Sequence, residues 1–262
     1  MKVLDLFSGI GGFSLGLERA GMETVAFCEI DEWCQENALK LNWPNVEIYN
    51  DIRKINSEQF IEKHGRVDVV TSGTPCQPAS IIGKRKGAED SRWLWPDTLR
   101  IVEQLKPRWF VGENPTGLLT LDGGDRFGEI IERLSKAGYD CIWETIPASA
   151  VGGGHRRERV WIIAHASGER LERHTGYGDN INEPGRFKAC TSGPTSQKTV
   201  FPVRDSERWW EDKSPVPIVV DGVSDPSFWK QAVIATGNAV VPQIPEMIGR
   251  AIMEIENNNE QL

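Results

Sequence analysis

The sequence predicts an α/β protein with a mostly parallel sheet, helices on both faces and a small second module. Three observations carry that expectation. Short apolar runs alternate with stretches of helical spacing along the first 165 residues, a glycine cluster (SGIGG, 8–12) follows the first run at once, and from about 166 to 231 the periodicity gives way to polar, turn-rich sequence. Strand and helix alternating in this way is the pattern of a parallel sheet, because parallel strands need long crossovers and helices supply them.

Residues 2–7 (KVLDLF) form an apolar run of strand length, and 13–21 (FSLGLERAG) has helical spacing closed by Gly21. The pattern repeats: a strand over 24–30 (TVAFCEI), a helix over 31–42 (DEWCQENALKLN), and strands over 46–52 (VEIYNDI) and 67–75 (VDVVTSGTP). A helix follows over 98–107 (TLRIVEQLKP), a strand over 108–115 (RWFVGENP) and a helix over 127–139 (FGEIIERLSKAGY). Strands over 141–151 (CIWETIPASAV) and 159–167 (RVWIIAHAS) complete the first domain, 1–165. The expected second domain, 166–231, is nearly balanced in charge, and Trp209, Trp210 and Trp229 are available for its core. Residues 232–262 are expected to return to the first domain, with helical spacing over 242–257.

The 262 residues carry 30 Lys plus Arg against 38 Asp plus Glu, a net charge of −8. That balance excludes a protein that coats nucleic acid by bulk attraction and leaves room for a local basic site. The five cysteines (28, 34, 76, 141 and 190) form no C-x-x-C pair, so neither a disulfide framework nor a zinc site is expected. With no secretory h-region and no apolar stretch near the ~20 residues of a membrane helix, the expectation is a cytoplasmic protein without a membrane.

Parallel α/β sheets bind ligands at the carboxyl ends of their strands. There, Gly9, Gly11 and Gly12 let the chain turn sharply and aim a helix N-terminus at a ligand. Glu29, twenty positions after Gly9 and at the end of the next strand, can accept hydrogen bonds from both hydroxyls of a ribose. Asp51 ends the third strand in a similar place. The glycine spacing departs from G-x-G-x-x-G, which favours an adenosine-containing cofactor over a dinucleotide. Cys76 lies between Pro75 and Pro78, just past an apolar strand, where a thiol is presented at the sheet edge. Arg156, Arg157 and Arg159 can supply the positive potential that favours a thiolate, and Glu113 an acid at the same edge.

These residues resemble the DNA (cytosine-5)-methyltransferases. DLFSGIGGF at 5–13 resembles the family's cofactor motif, GTPCQPAS at 73–80 its proline-cysteine motif and ENP at 113–115 its glutamate motif. HRRERV at 155–160 resembles its arginine motif and GNAVVP at 237–242 its C-terminal motif, all five in the family's order. The resemblance implies a Rossmann-like methyltransferase sheet with a target-recognition domain, and S-adenosyl-L-methionine as cofactor. It implies that Phe7, Ser8, Gly9, Gly11, Gly12, Glu29, Ile30, Asp51, Ile52, Gly73, Pro75, Leu94, Asn238 and Ala239 bind that cofactor. By the same resemblance the catalytic set is Cys76, Glu113, Arg157 and Arg159. Cys76 adds to carbon 6 of a flipped-out cytosine, Glu113 meets the ring nitrogen and exocyclic amine, and Arg159 holds the carbonyl oxygen. The stretch from Ala79 to Asp90 then fits the family's mobile DNA-closing loop, and Gln77, Ser80, Lys84, Arg85 and Lys86 are expected on DNA.

The chain departs from the family in places: Pro115 where valine is common, His155 where glutamine is, and Thr74 and Ala79 where aromatic residues are frequent. The recognition region is short and lacks a clear counterpart of the family's organising motif, 208–229 (RWWEDKSPVPIVVDGVSDPSFW) being the nearest candidate. The leading expectation is a monomeric enzyme that methylates cytosine in double-stranded DNA at a short sequence, with a restriction endonuclease as a possible separate partner. An RNA cytosine methyltransferase with the same chemistry, a non-catalytic methyltransferase-like binder and a pyrophosphate-dependent oxidoreductase are the alternatives.

Overall fold

The structure, a computed structural model, describes residues 1–75, 93–166 and 226–259. Among the described residues seven strands form one sheet in the order β3-β2-β1-β4-β5-β7-β6. They are β1 (Lys2–Leu6), β2 (Glu23–Cys28), β3 (Glu47–Tyr49), β4 (Val69–Ser72), β5 (Trp109–Pro115), β6 (Tyr139–Pro147) and β7 (Glu158–Ala166). The first five run parallel, as the alternation predicts. β7 lies between β5 and β6 and is antiparallel to both. The link from β6 to β7, 148–157, holds only a short 3-10 turn (Ala148–Val151), so the two strands form a hairpin rather than a crossover.

β1 and β4 are wholly buried over Val3, Leu4, Leu6, Val69 and Val70, as strands covered on both faces must be. The helices among the described residues are α1 (Gly12–Arg19), α2 (Glu32–Cys34), α3 (Lys40–Asn42), α4 (Ser57–His64), α5 (Trp95–Leu105), α6 (Asp125–Lys136), α7 (Pro226–Asn238) and α8 (Gln243–Asn259). One core holds α5 and α6 residues such as Leu99, Val102, Ile130 and Leu134. Another sets Phe13 and Leu17 of α1 with Ile244, Ile248 and Ile252 of α8. α8 is fixed to the sheet at Glu256, which is buried, accepts from Trp109 Nε1 at 2.9 Å and pairs with Arg108.

Several boundaries differ from the sequence reading. The helix expected over 31–42 is α2 and α3 joined by a π-turn, Gln35–Leu39. The strand expected over 141–151 stops at Pro147. α4 is an additional helix, capped by Asn56, whose side chain accepts from Gln59 N at 3.0 Å. The returning segment is two helices rather than one: α7 crosses the expected boundary at 231/232, and a turn at Pro242 separates it from α8. Proline has no N–H to continue α7 but is well placed just before a new helix.

Candidate active site

The register aligns Leu6, Cys28, Tyr49, Ser72 and Gly112 across the five parallel strands. One position beyond that row come Phe7, Glu29, Gly73 and Glu113, so residues from four strand ends meet at the carboxyl edge. β1, with neighbours on both sides that leave it in opposite directions along the chain, is the reversal point where such sheets open a crevice.

The turn after β1 is built from its own polar atoms. Ser8 Oγ donates to Asp5 O at 2.7 Å, and Gly11 N donates to Ser8 O at 2.8 Å. Phe7, Gly9 and Gly11 all have positive φ. Glu29, only 8% exposed, accepts from Gly9 N at 2.6 Å on one carboxylate oxygen and from Asp31 N at 2.7 Å on the other. Burial pushes its carboxyl above the usual range, while the backbone donors of Asp31 and Gly9 pull the other way. Each oxygen keeps lone-pair capacity for another donor. Beside it, Gly9 would carry a Cβ into open space, and Ile30 is 66% exposed.

The other glycines of the cluster answer to packing. A Cβ on Gly11 would stand 2.5 Å from the Trp43 ring, and one on Gly12 2.5 Å from the Val240 carbonyl oxygen. The close approach at Gly12 is therefore made by the returning C-terminal segment, which the spacing of the cluster could not reveal.

Asp51 caps the 3-10 turn Ile52–Lys54 and pairs with Arg53, whose Nη2 lies 2.8 Å away, so its carboxyl sits below the usual range. Ile52 is buried, and its carbonyl accepts from Arg100 Nη2 of α5 at 2.7 Å. Leu94 is the N-cap of that same helix. Arg100 thus links the turn bearing Asp51 and Ile52 to the helix that starts at Leu94, a connection with no signal in the sequence.

At the reactive edge Glu113 is 8% exposed and paired with Arg159, whose Nε lies 2.9 Å from Oε1. β7 brings Arg159 opposite Pro115, which explains the pairing. Burial raises the Glu113 carboxyl above its ordinary range, and Arg159 and Arg157 oppose the rise. A buried carboxyl raised in this way is disposed to hold a proton. Arg157 directs its guanidinium at the carbonyls of Gly237 and Ala239, the latter at 2.8 Å.

Gly73 donates to Leu6 O at 3.2 Å, and Pro75 is the last described residue before Cys76. The route toward Cys76 is fixed by Thr74, buried and bonded to Ser72 Oγ at 2.6 Å and Thr98 Oγ1 at 3.2 Å. Asn114 Nδ2 also donates to Thr74 O at 3.0 Å, tying the end of β5 to that of β4. Thr74, a departure from the family pattern, therefore has a polar role here. Cys76, Gln77, Ser80, Lys84, Arg85 and Lys86 lie outside the described residues, as does most of 166–231. Of the described cysteines, burial pushes Cys28 and Cys34 up to about 12 and Cys141 to about 11, which suits inert thiols.

Sequence reasoning passed over Asp5. Fully buried in β1, it accepts from Ser14 Oγ of α1 and Thr71 Oγ1 of β4, each at 2.8 Å, and so joins the helix after the glycine turn to β4. A lone acid inside an apolar strand was the available signal.

Among the described residues no helix is long and apolar enough to cross a membrane, and no group of three or more His, Cys, Asp or Glu is placed to hold a metal. Comparison with known proteins gives a consistent answer. Residues 1–213 match the family model described as C-5 cytosine-specific DNA methylase. The type II methyltransferase M.BsuFI of Bacillus subtilis is 38% identical over 164 residues, 62% of this chain and 39% of that one. M.NgoPII of Neisseria gonorrhoeae, also a type II methyltransferase, is 35% identical over 231 residues, 82% of this chain and 66% of its own. A solved structure described as a DNA modification methyltransferase of an E. coli prophage superposes with a TM-score of 0.56 at 29% identity, over 63% of this chain and 47% of that one. The matches thus take in 36% to 39% of the length of several of the type II relatives.

Proposed function

Since the chain belongs to the C-5 cytosine-specific DNA methylase family, we propose that it transfers a methyl group to carbon 5 of cytosine in double-stranded DNA at a short specific sequence. The observation that carries this reading is the buried Glu113–Arg159 pair, set one residue past the strand row that also presents Glu29 and Gly73. Acid, cofactor cradle and the approach to a cysteine thereby share one edge.

S-adenosyl-L-methionine supplies an electrophilic methyl group when bound. The residues present fit it: Glu29 has carboxylate capacity for ribose hydroxyls, and Gly9 leaves open space beside it. Phe7, Ser8, Gly9, Gly11, Gly12, Ile30, Asp51, Ile52, Gly73, Pro75, Leu94, Asn238 and Ala239 would hold the rest of the cofactor, Phe7, Asp51 and Ile52 its adenine.

Carbon 5 of cytosine is a poor nucleophile until addition at carbon 6 gives the ring enamine character. The Cys76 thiolate makes that bond, and Glu113 shares its proton with ring nitrogen 3 while Arg159 holds the carbonyl oxygen. Once carbon 5 carries the methyl, a base removes its proton, the double bond re-forms and the thiolate leaves. The target must first leave the base stack, at about a few kcal/mol. Gln77, Ser80, Lys84, Arg85 and Lys86 hold the DNA, and 166–231 reads the sequence. The protein acts as a cytoplasmic monomer, with any restriction endonuclease a separate chain.

The test is a covalent adduct with 5-fluorocytosine DNA. Wild-type protein with S-adenosylmethionine forms an adduct that survives denaturation, and Cys76→Ala forms none. No adduct from wild type on DNA, with one on RNA, would transfer the reading to RNA; none on either would favour a binder.

A further inference from the structure

Arg157 stands out on three independent counts. Its φ is +30°, a left-handed backbone that a non-glycine residue rarely adopts. Its guanidinium reaches across eighty residues of sequence to bond Gly237 O and, at 2.8 Å, Ala239 O. It also lies two residues from Arg159, the partner of Glu113. The last carbonyls of a helix have no partner within it, and a cationic fork at that end is the natural cap.

The two carbonyls flank Asn238. The same stretch is seated from its other side on α1, where a Cβ on Gly12 would meet Val240 O at 2.5 Å and one on Gly16 would meet Pro242 O at 2.3 Å. Residues 237–242 are therefore held between the glycine helix of the cofactor turn and the arginine segment of the reactive edge. We infer that Arg157 is a positioning residue: its grip on the carbonyls either side of Asn238 fixes that segment as a wall of the cofactor site, in register with Glu113 and Arg159. The inference rests on the methyltransferase reading for the identity of the cofactor. It gives Arg157 a role distinct from contact with the cytosine.

The experiment compares wild type, Arg157→Ala and Arg157→Lys as full chains. S-adenosylmethionine affinity is measured by calorimetry without DNA, and amide hydrogen exchange is followed peptide by peptide. Loss of two charge-assisted bonds in Arg157→Ala is expected to weaken cofactor binding by about tenfold or more. Exchange quickens at 236–241 and not in β5. Arg157→Lys, which keeps the charge and one bond at a time, recovers part of both effects. Unchanged cofactor affinity with a hundredfold fall in turnover would overturn the inference in favour of direct contact with the base. Unchanged exchange at 236–241 would overturn it too, whatever the cofactor does. Wild type that binds no S-adenosylmethionine would instead refute the methyltransferase reading, with the exchange data still judging the grip itself.

Discussion

Replacing Gly16 with alanine isolates the contact between the glycine helix and the returning C-terminal segment. In the interior of an exposed helix the change should stabilise, because alanine is favoured over glycine by about 1 kcal/mol. Here the added Cβ would stand 2.3 Å from Pro242 O, 2.8 Å from Glu246 N and 2.8 Å from Pro245 Cγ. Two of those atoms are backbone, so α1 and the start of α8 must separate. Overpacking of this kind costs about 1–3 kcal/mol, and loosening the cluster that holds Leu17 with Ile244, Ile248 and Ile252 adds to it. The expected net loss is about 1–2 kcal/mol, or about 2–8 °C in melting temperature for a chain of this size. Gly128, on α6, has nothing within 4 Å of its would-be Cβ. Gly128→Ala should therefore stabilise by about 0.5–1 kcal/mol. Thermal and urea unfolding of both variants beside wild type measures the contrast. If Gly16→Ala melts at or above wild type, the close seating of 240–246 on α1 is wrong, and with it the account of why these glycines are glycines.

Three further outcomes are expected. Burial raises the Asp5 carboxyl to about 6 despite the Ser14 and Thr71 hydroxyls, so the fold favours its protonated form. The stability this lends is full below about pH 4 and lost as pH rises through about 6; Asp5→Asn, which cannot ionise, lacks that slope, and the wild-type advantage should shrink by about 2 kcal/mol between pH 4 and 7 in urea unfolding. Parallel pH curves for the two proteins would count against it. Glu113→Gln should lower turnover by about 10²–10⁴-fold in a methyl-transfer assay, with cofactor affinity nearly unchanged; a loss confined to cofactor binding would misplace Glu113. Neutralising Lys84, Arg85 and Lys86 together should flatten the dependence of log affinity on log salt by up to about three, while sequence preference stays the same; an unchanged slope would remove them from the phosphates.

Much of the sheet was legible because buried parallel strands read as apolar runs broken by glycine turns, and the five parallel strands fall where KVLDLF, TVAFCEI, VEIYNDI, VDVV and RWFVGENP stand. Strand direction is not encoded in such runs, so the reversed β7 could be inferred only from the short 148–157 link. α4 escaped notice because its eight residues offer only Phe60 and Ile61 as apolar positions, although Asn56 was a readable cap. The site divides in the same way. Glu29 and Glu113 could be placed because each follows an apolar run directly. The partners of Gly12, Gly16 and Arg157 lie more than 75 residues away in sequence, and no local pattern announces them. The Asp5 bonds to Ser14 and Thr71 are equally tertiary in origin, a consequence of stacking α1 over the β1–β4 pair.

The most direct test of the central claim is base-resolution mapping of 5-methylcytosine in unmethylated genomic DNA incubated with the purified protein and S-adenosylmethionine, with Cys76→Ala as control. Methylation at carbon 5 of cytosines in one short sequence, absent from the control, is the expected result. Methylation that persists in Cys76→Ala, or none from wild-type protein that binds both cofactor and DNA, would contradict it.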